Sequence, residues 1–194
     1  MKTFQQWWLN TPIHRWRVYG QVPHFLKNCP DPFRGEVLEI GAGKGWTSRR
    51  ILETFPQVEL TVIDTDAEAI AELKKLQEIY GHRLHVVQAD AFSLPFDRAS
   101  FDIVVALNVF RHFDNVTPVC EQLLRVIRPG GLLGVSDADP RFFPRGLRWL
   151  FSASLTSSRP ALEEVLAKEN SPILYAYGKA LYDLWARKPY PDQN

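Results

Sequence analysis

From residue 36 onward, short runs of β-branched residues alternate with longer stretches whose apolar positions recur at helical spacing. Residues 36–41 (EVLEIG) predict a first strand, and 46–55 a helix with Ile51, Leu52 and Phe55 on one face. Residues 60–64 (LTVID) predict a second strand, and 67–80 a helix that aligns Ile70, Leu73, Leu76, Ile79 and Tyr80. Strands then follow at 84–88 (LHVVQ) and 101–107 (FDIVVAL), a helix at 116–127 that stops at Arg128, Pro129, Gly130 and Gly131, and a strand at 132–136. These strands are apolar on both sides, so both sheet faces need cover, which strand–helix alternation supplies through right-handed crossovers. The predicted class is α/β, a doubly wound parallel sheet.

The ends follow other rules. Residues 2–9 and 12–19 predict short helices, the second with Thr11 as cap and Pro12 at the first helical position, where its missing N–H is harmless. After the sheet, 144–155 and 160–168 read as helical. The stretch SPILYAYGKALYDLWARKP has two readings: an antiparallel hairpin of strands 173–177 and 181–187 around Gly178 and Lys179, or one helix presenting Leu174, Tyr177, Leu181 and Leu184. The strand preference of Ile, Tyr and Trp around a glycine favours the hairpin.

Composition narrows the picture. With 194 residues, 45% of them hydrophobic, the chain supports one domain with a sizeable core. Lys and Arg total 23 against 22 Asp and Glu, so a net charge of +1 gives no general pull toward nucleic acid or an anionic membrane. Cys29 and Cys120 sit in no metal-ligand or redox spacing, which predicts two reduced thiols and no metal site. The start lacks the apolar stretch of a signal peptide, and no apolar run approaches the roughly 20 residues of a membrane span. A soluble cytoplasmic protein is the expectation. Of the six tryptophans, Trp7, Trp8, Trp16 and Trp149 fall outside the alternating region, where a sheet core does not explain them.

The candidate chemistry begins where the first strand meets the first helix, in Glu39-Ile40-Gly41-Ala42-Gly43-Lys44-Gly45. Glycine there permits positive φ and a close backbone approach, and the helix N-terminus offers free N–H groups to a nucleotide-like ligand. Asp64, about 20 residues on, ends the second strand, placed to accept from ribose hydroxyls at the switch point of the sheet. Asp66 beside it is an alternative for that role. Asp90, just past the third strand, adds an acidic group on the same edge, or else serves its own turn. Trp46 is either a core wedge or a wall of the pocket.

In order and spacing, VLEIGAGKGW, VIDTD, VQADAFSLPFDRASFDIVVA and LLRVIRPGGLL resemble the motifs of class I S-adenosylmethionine (SAM)-dependent methyltransferases. The LPF…SFDIV stretch is most similar to the small-molecule branch that includes ubiquinone and menaquinone C-methyltransferases. The resemblance covers about 34–137, and LYDLWARKP is similar to that family's last strand. It implies a seven-stranded Rossmann-like sheet ending in an antiparallel hairpin, with SAM as cofactor. It assigns Glu39, Gly41, Ala42, Gly43 and Gly45 to the methionine part, Asp64 and Thr65 to the ribose, Asp90 and Ala91 to the adenine, and Asn108 to the sulfonium end. On it the chain divides into an N-terminal helical lid or cap (1–33), a SAM-binding core (34–137), acceptor-side helices (138–170) and a terminal hairpin (171–190).

Methyl transfer from a sulfonium needs no protein nucleophile, only binding, orientation and exclusion of water. A base for the acceptor's proton is available after the fourth strand, where NVFRHFDN offers Arg111, His112 and Asp114. His112 and Asp114 are the catalytic candidates; the competing reading makes His112 a helix-start residue bonded to backbone. Asp137 and Asp139, after the fifth strand, lie at the carboxyl edge where ligands bind in open sheets, or else simply solvate their loop, the favoured reading.

The segment 141–155 (RFFPRGLRWLFSASL) is either a basic amphipathic helix on a membrane interface or over an apolar acceptor, or an ordinary helix with snorkelling arginines. Phe4, Trp7, Trp8, Trp16 and Tyr19 form either a lid or a packing cap. The expected partner is a small hydrophobic or aromatic acceptor, not nucleic acid, since the residues after strand four read N-V-F-R. Two other functions compete. Tyr175-x-x-x-Lys179 has the spacing of a short-chain NAD(P)-dependent dehydrogenase, though its glycine pattern and serine are missing. The other is a SAM-binding scaffold or activator without catalysis.

Overall fold

The computed structural model describes residues 12–138, 158–178 and 181–191, with side chains from residue 20 onward. The sheet has seven strands: β1 (Gly35–Ile40), β2 (Val58–Asp64), β3 (Leu84–Gln88), β4 (Phe101–Leu107), β5 (Ile127–Ala138), β6 (Ile173–Tyr177) and β7 (Leu181–Arg187), in the order β3-β2-β1-β4-β5-β7-β6. Strands β1 to β5 are parallel; β7 runs antiparallel to β5 and to β6. The expected doubly wound sheet with a terminal hairpin is present. Because β2 and β4 flank β1, the connections leaving β1 and β4 diverge and open a crevice at the carboxyl ends of the strands.

Helices cover both faces. On one lie α1 (Pro12–Lys27), α2 (Trp46–Thr54) and α3 (Ala67–Tyr80), whose Phe25, Ile51 and Leu73 pack with Val37, Val62, Val105 and Trp185. On the other, α4 (Thr117–Val126) and α5 (Ser158–Lys168) bring Leu123, Cys120, Leu162 and Leu166 against Leu38, Val104, Val135 and Leu184. Strand neighbours alternate between these clusters, as the period of two requires. Trp46 packs against the first cluster, on the core side of its two readings.

Two elements run well past their expected bounds. The helix expected over 12–19 continues to Lys27 past Gly20 and Pro23. Proline inside a helix forfeits one backbone bond, and burial of Val22, Phe25 and Leu26 outweighs that loss. The Arg128-Pro129-Gly130-Gly131 stop lies inside β5, which starts at Ile127 and pairs with Phe101 across a register shift. Gly130 and Gly131 stay in the sheet's bonding through Lys188, whose carbonyl accepts from Gly130 (2.9 Å) and whose N–H reaches Gly131 (2.9 Å). The single-helix reading of the tail is overturned: cross-strand pairing continues from Ile173↔Ala186 to Tyr177↔Asp183. Tyr175 therefore lies on the outermost strand, far across the sheet from the glycine turn, and Lys179 is outside the described residues. The expected segments 2–9 and 144–155, with Trp7, Trp8, Asp139 and Trp149, also lie outside them, as do the side chains of Trp16 and Tyr19.

At Gly134 of β5 the sheet makes room for rings from α1 and β7. A Cβ there would stand 2.5 Å from the Trp185 ring and 2.7 Å from Phe25, two rings stacked 4.5 Å apart. Gly134→Val is expected to cost about 1–3 kcal/mol by overpacking, read as a lower midpoint of thermal unfolding; an unchanged midpoint would show that α1 yields without cost.

Candidate functional site

The connection from β1 to α2 is a glycine turn with φ of 64° at Gly41, 53° at Gly43 and 74° at Gly45, a left-handed region that penalises any Cβ. At Gly41 that Cβ would also strike Val109, in the loop after β4, so the two loops flanking the crevice touch. Gly45 caps α2 with no side chain, leaving the first turn without a cap from it. A Cβ at Gly43 would meet nothing within 4 Å, so the turn has open space beside it.

Asp64 faces that space from the end of β2. One carboxylate oxygen accepts the Gly43 N–H at 2.8 Å and the other the Asp66 N–H at 3.0 Å. A carboxylate has about four acceptor positions, so capacity remains for the hydroxyls of a ribose. Asp66 does something different, since its side chain accepts from the Glu68 N–H at 2.9 Å and caps α3. Thr65 is exposed between them, its carbonyl accepting from Gln88. After β3, Ala89 donates its N–H to the Asp64 carbonyl at 3.1 Å, and Asp90 closes a turn by accepting the Phe92 N–H at 3.0 Å. Asp90 thus serves its turn and stays exposed at the same edge, with Ala91 buried beneath it. Open space beside Gly43, an oriented carboxylate at Asp64 and an uncapped helix start are compatible with the size and polar groups of SAM.

Beyond β4, Asn108 has a positive φ of 58° and donates its N–H to the Ser136 carbonyl at 2.7 Å. Its side-chain oxygen accepts from Arg111 at 2.9 Å. Asp137 is buried at 0% exposure, because β5 runs one residue past it, to Ala138, and registers it against Tyr182; the loop-solvation reading is corrected. Asp137 accepts the Arg111 N–H at 3.1 Å and pairs with its guanidinium at 3.5 Å. Burial lowers the Arg111 pKa, and Asp137 opposes that shift. His112 donates its backbone N–H to Val109 at 2.9 Å, while its side chain stands at the exposed rim. Surrounding protein holds its pKa below the usual value, Arg111 adds to that, and Asp137 and Asp64 counteract it. The rim position leaves the imidazole open to a ligand, and the lowered pKa keeps it neutral near pH 7. Asp114 lies exposed two residues further along the loop.

One functional-edge network escaped the sequence reading: Gln21, His24, Ser136 and Asp183. Ser136 donates to Asp183 at 2.5 Å, Gln21 donates to Ser136 at 2.6 Å, and a ring nitrogen of His24 lies 3.1 Å from the other Asp183 oxygen. The available signal was a lone aspartate in the otherwise apolar alternation of LYDLWAR.

Glu39 is buried within β1, where its carboxylate accepts from the Ser48 hydroxyl at 2.6 Å. Burial pushes its pKa up to about 8, the Ser48 bond pulls it down, and Asp64 raises it further. A raised folded pKa makes its contribution to stability greatest below the unfolded value near 4.5 and lost as pH rises through about 8. Glu39→Gln is therefore expected to raise the thermal midpoint at pH 9 relative to the native chain more than at pH 4. Equal shifts at both pH values would show that the Glu39 pKa is not raised in the folded state.

Residues 37–131 match the family model described as a methyltransferase domain. The chain is 32% identical over 136 residues to a fatty-acid O-methyltransferase of Mycolicibacterium smegmatis, across 70% of this chain and 49% of that protein. It is 30% identical over 126 residues to the demethylmenaquinone methyltransferase of Thermus thermophilus, across 65% of this chain and 55% of that one. The chain thus spans about half the length of these relatives. A Haloferax volcanii protein solved in complex with the Trm112 methyltransferase activator shares the fold at a TM-score of 0.79, with 15% identity and 98% of each chain covered. The matched segment contains the glycine turn, Asp64, Asp90 and Asn108 at the ends of strands ordered as the motifs require, and this part of the chain is a methyltransferase domain of the class I SAM-dependent type.

Proposed function

We propose that this protein transfers a methyl group from SAM to a small hydrophobic or aromatic acceptor by direct displacement. The observation that carries the reading is an exposed imidazole, His112, in the short helical turn that follows β4 beside the crevice. When bound, SAM supplies an electrophilic methyl group on a sulfonium. The chain's part is to orient and to take a proton: Asp64 and Asp90 hold the nucleoside, and a ring nitrogen of His112 accepts the proton of the attacking acceptor group. Phe92 and Phe113, edge to face with centroids 5.3 Å apart, join the loops after β3 and β4 and give this rim an aromatic wall. Both relatives carry a lipophilic acceptor in their names, a fatty acid and demethylmenaquinone. A net charge of +1 suits such an acceptor better than a polyanion.

Asp64→Ala is expected to weaken SAM binding by about 1–3 kcal/mol, the loss of hydrogen bonds to a charged group; unchanged affinity in calorimetry would remove Asp64 as the ribose partner. With labelled SAM and a panel of fatty acids, phenols and quinols, one lipophilic class is expected to accept the label. His112→Ala should lower kcat by about 100-fold or more while SAM affinity stays within about twofold. Tight SAM binding with no label transfer to any of the panel would favour the scaffold function instead.

A further inference from the structure

The amide of Gln21 is held at one end only. Its Nε2 donates to Ser136, while its Oε1 is buried without a hydrogen-bond partner among the described residues. The assignment of the two ends follows from Ser136: its single hydroxyl hydrogen goes to Asp183, so it can only accept from Gln21. A buried carbonyl left unsatisfied is costly, which marks the position as one that a bound molecule completes.

The surroundings say what kind of molecule. The donor chain runs Gln21 to Ser136 to Asp183, a carboxylate only 6% exposed, and polarisation along such a chain makes the free Oε1 a stronger acceptor. It therefore suits a cationic donor. Ser136 also accepts the Asn108 N–H through its backbone, which puts the Gln21 amide beside the end of β4. Glu39 faces the same side of the sheet, since Val37, two residues before it, and Trp185, two after Asp183, share the core cluster that contains Phe25 of α1. The Asp183 carboxylate and the orphaned acceptor thus lie on the face that Glu39 shares, beside the end of β4. SAM carries one cationic group with N–H donors, its α-ammonium.

We infer that Gln21 is a cofactor-binding residue whose Oε1 accepts a hydrogen bond from the α-ammonium of SAM, pre-oriented by Ser136 and Asp183. The inference rests on SAM being the cofactor.

Calorimetric titration with S-adenosylhomocysteine, which keeps the ammonium, and with 5′-methylthioadenosine, which lacks it, tests this on the full chain. Gln21→Leu is expected to weaken S-adenosylhomocysteine about tenfold and leave 5′-methylthioadenosine unchanged. Asp183→Asn, which keeps the shape but removes the charge behind the chain, should show the same selectivity with a smaller loss, and covers the case in which Gln21→Leu fails to fold. Unchanged S-adenosylhomocysteine affinity in the folded variants, or equal weakening of both ligands, would overturn the inference. A native chain that binds neither ligand would instead defeat the cofactor reading on which it depends.

Discussion

Three loops of the crevice converge on one residue. Asp64 accepts the Gly43 N–H from the turn after β1 and the Asp66 N–H from the turn after β2, and its own carbonyl accepts Ala89 at the start of the turn after β3. Parallel strands end side by side, but nothing in strand pairing dictates where their connections go. A carboxylate at the end of the middle strand supplies that instruction. It draws the glycine turn toward β2, and the room beside Gly43 follows from that geometry. Replacement by a neutral residue would leave two N–H groups competing for water at the point where the site must be preformed.

On the other side of β1, rigidity has a different source. Asn108 adopts a left-handed conformation, uncommon outside glycine, and is held there by the Ser136 carbonyl and the Arg111 guanidinium. Arg111 is in turn pinned by Asp137, buried beneath it. Removing either charge of this pair would leave the other buried and uncompensated, which costs more than the pair itself contributes. The loop that carries His112 thus rests on a buried ion pair.

Where local pattern and tertiary packing agree, the sequence is legible to the residue. The helix Ala67–Tyr80, the strands Leu84–Gln88 and Phe101–Leu107 and both hairpin strands have the predicted bounds, because periodicity, β-branching and punctuation there point the same way. The glycine turn and its acidic partners were legible for a related reason: they lie at strand ends, which the pattern locates. Disagreement arises where long-range contacts decide. Gly20 and Pro23 are helix breakers by local rules, and only the sheet face waiting for Val22, Phe25 and Leu26 keeps α1 going. Asp137 reads as a loop residue until the register with Tyr182 shows that the strand encloses it. The network of Gln21, His24, Ser136 and Asp183 joins segments more than 100 residues apart, a pairing no local period encodes.

That network also explains why a strand as apolar as β7 carries an aspartate. An apolar residue at 183 would avoid the desolvation cost of a buried carboxylate, and by burial alone would serve better. Apolar burial, however, has no preferred direction, so on its own it fixes α1 along its axis less strictly. Directional bonds are less forgiving. His24 and Gln21, three residues apart and so on one helix face, reach Asp183 and Ser136, which sit opposite each other on β7 and β5. The Trp185 indole adds a third bond, to the Phe25 carbonyl at 3.3 Å. Only one axial position of α1 satisfies all of them, and the helix carries that position on to Pro12 at its N-terminal end. The buried charge thus trades stability for register, and register is what a helix bordering the crevice must have.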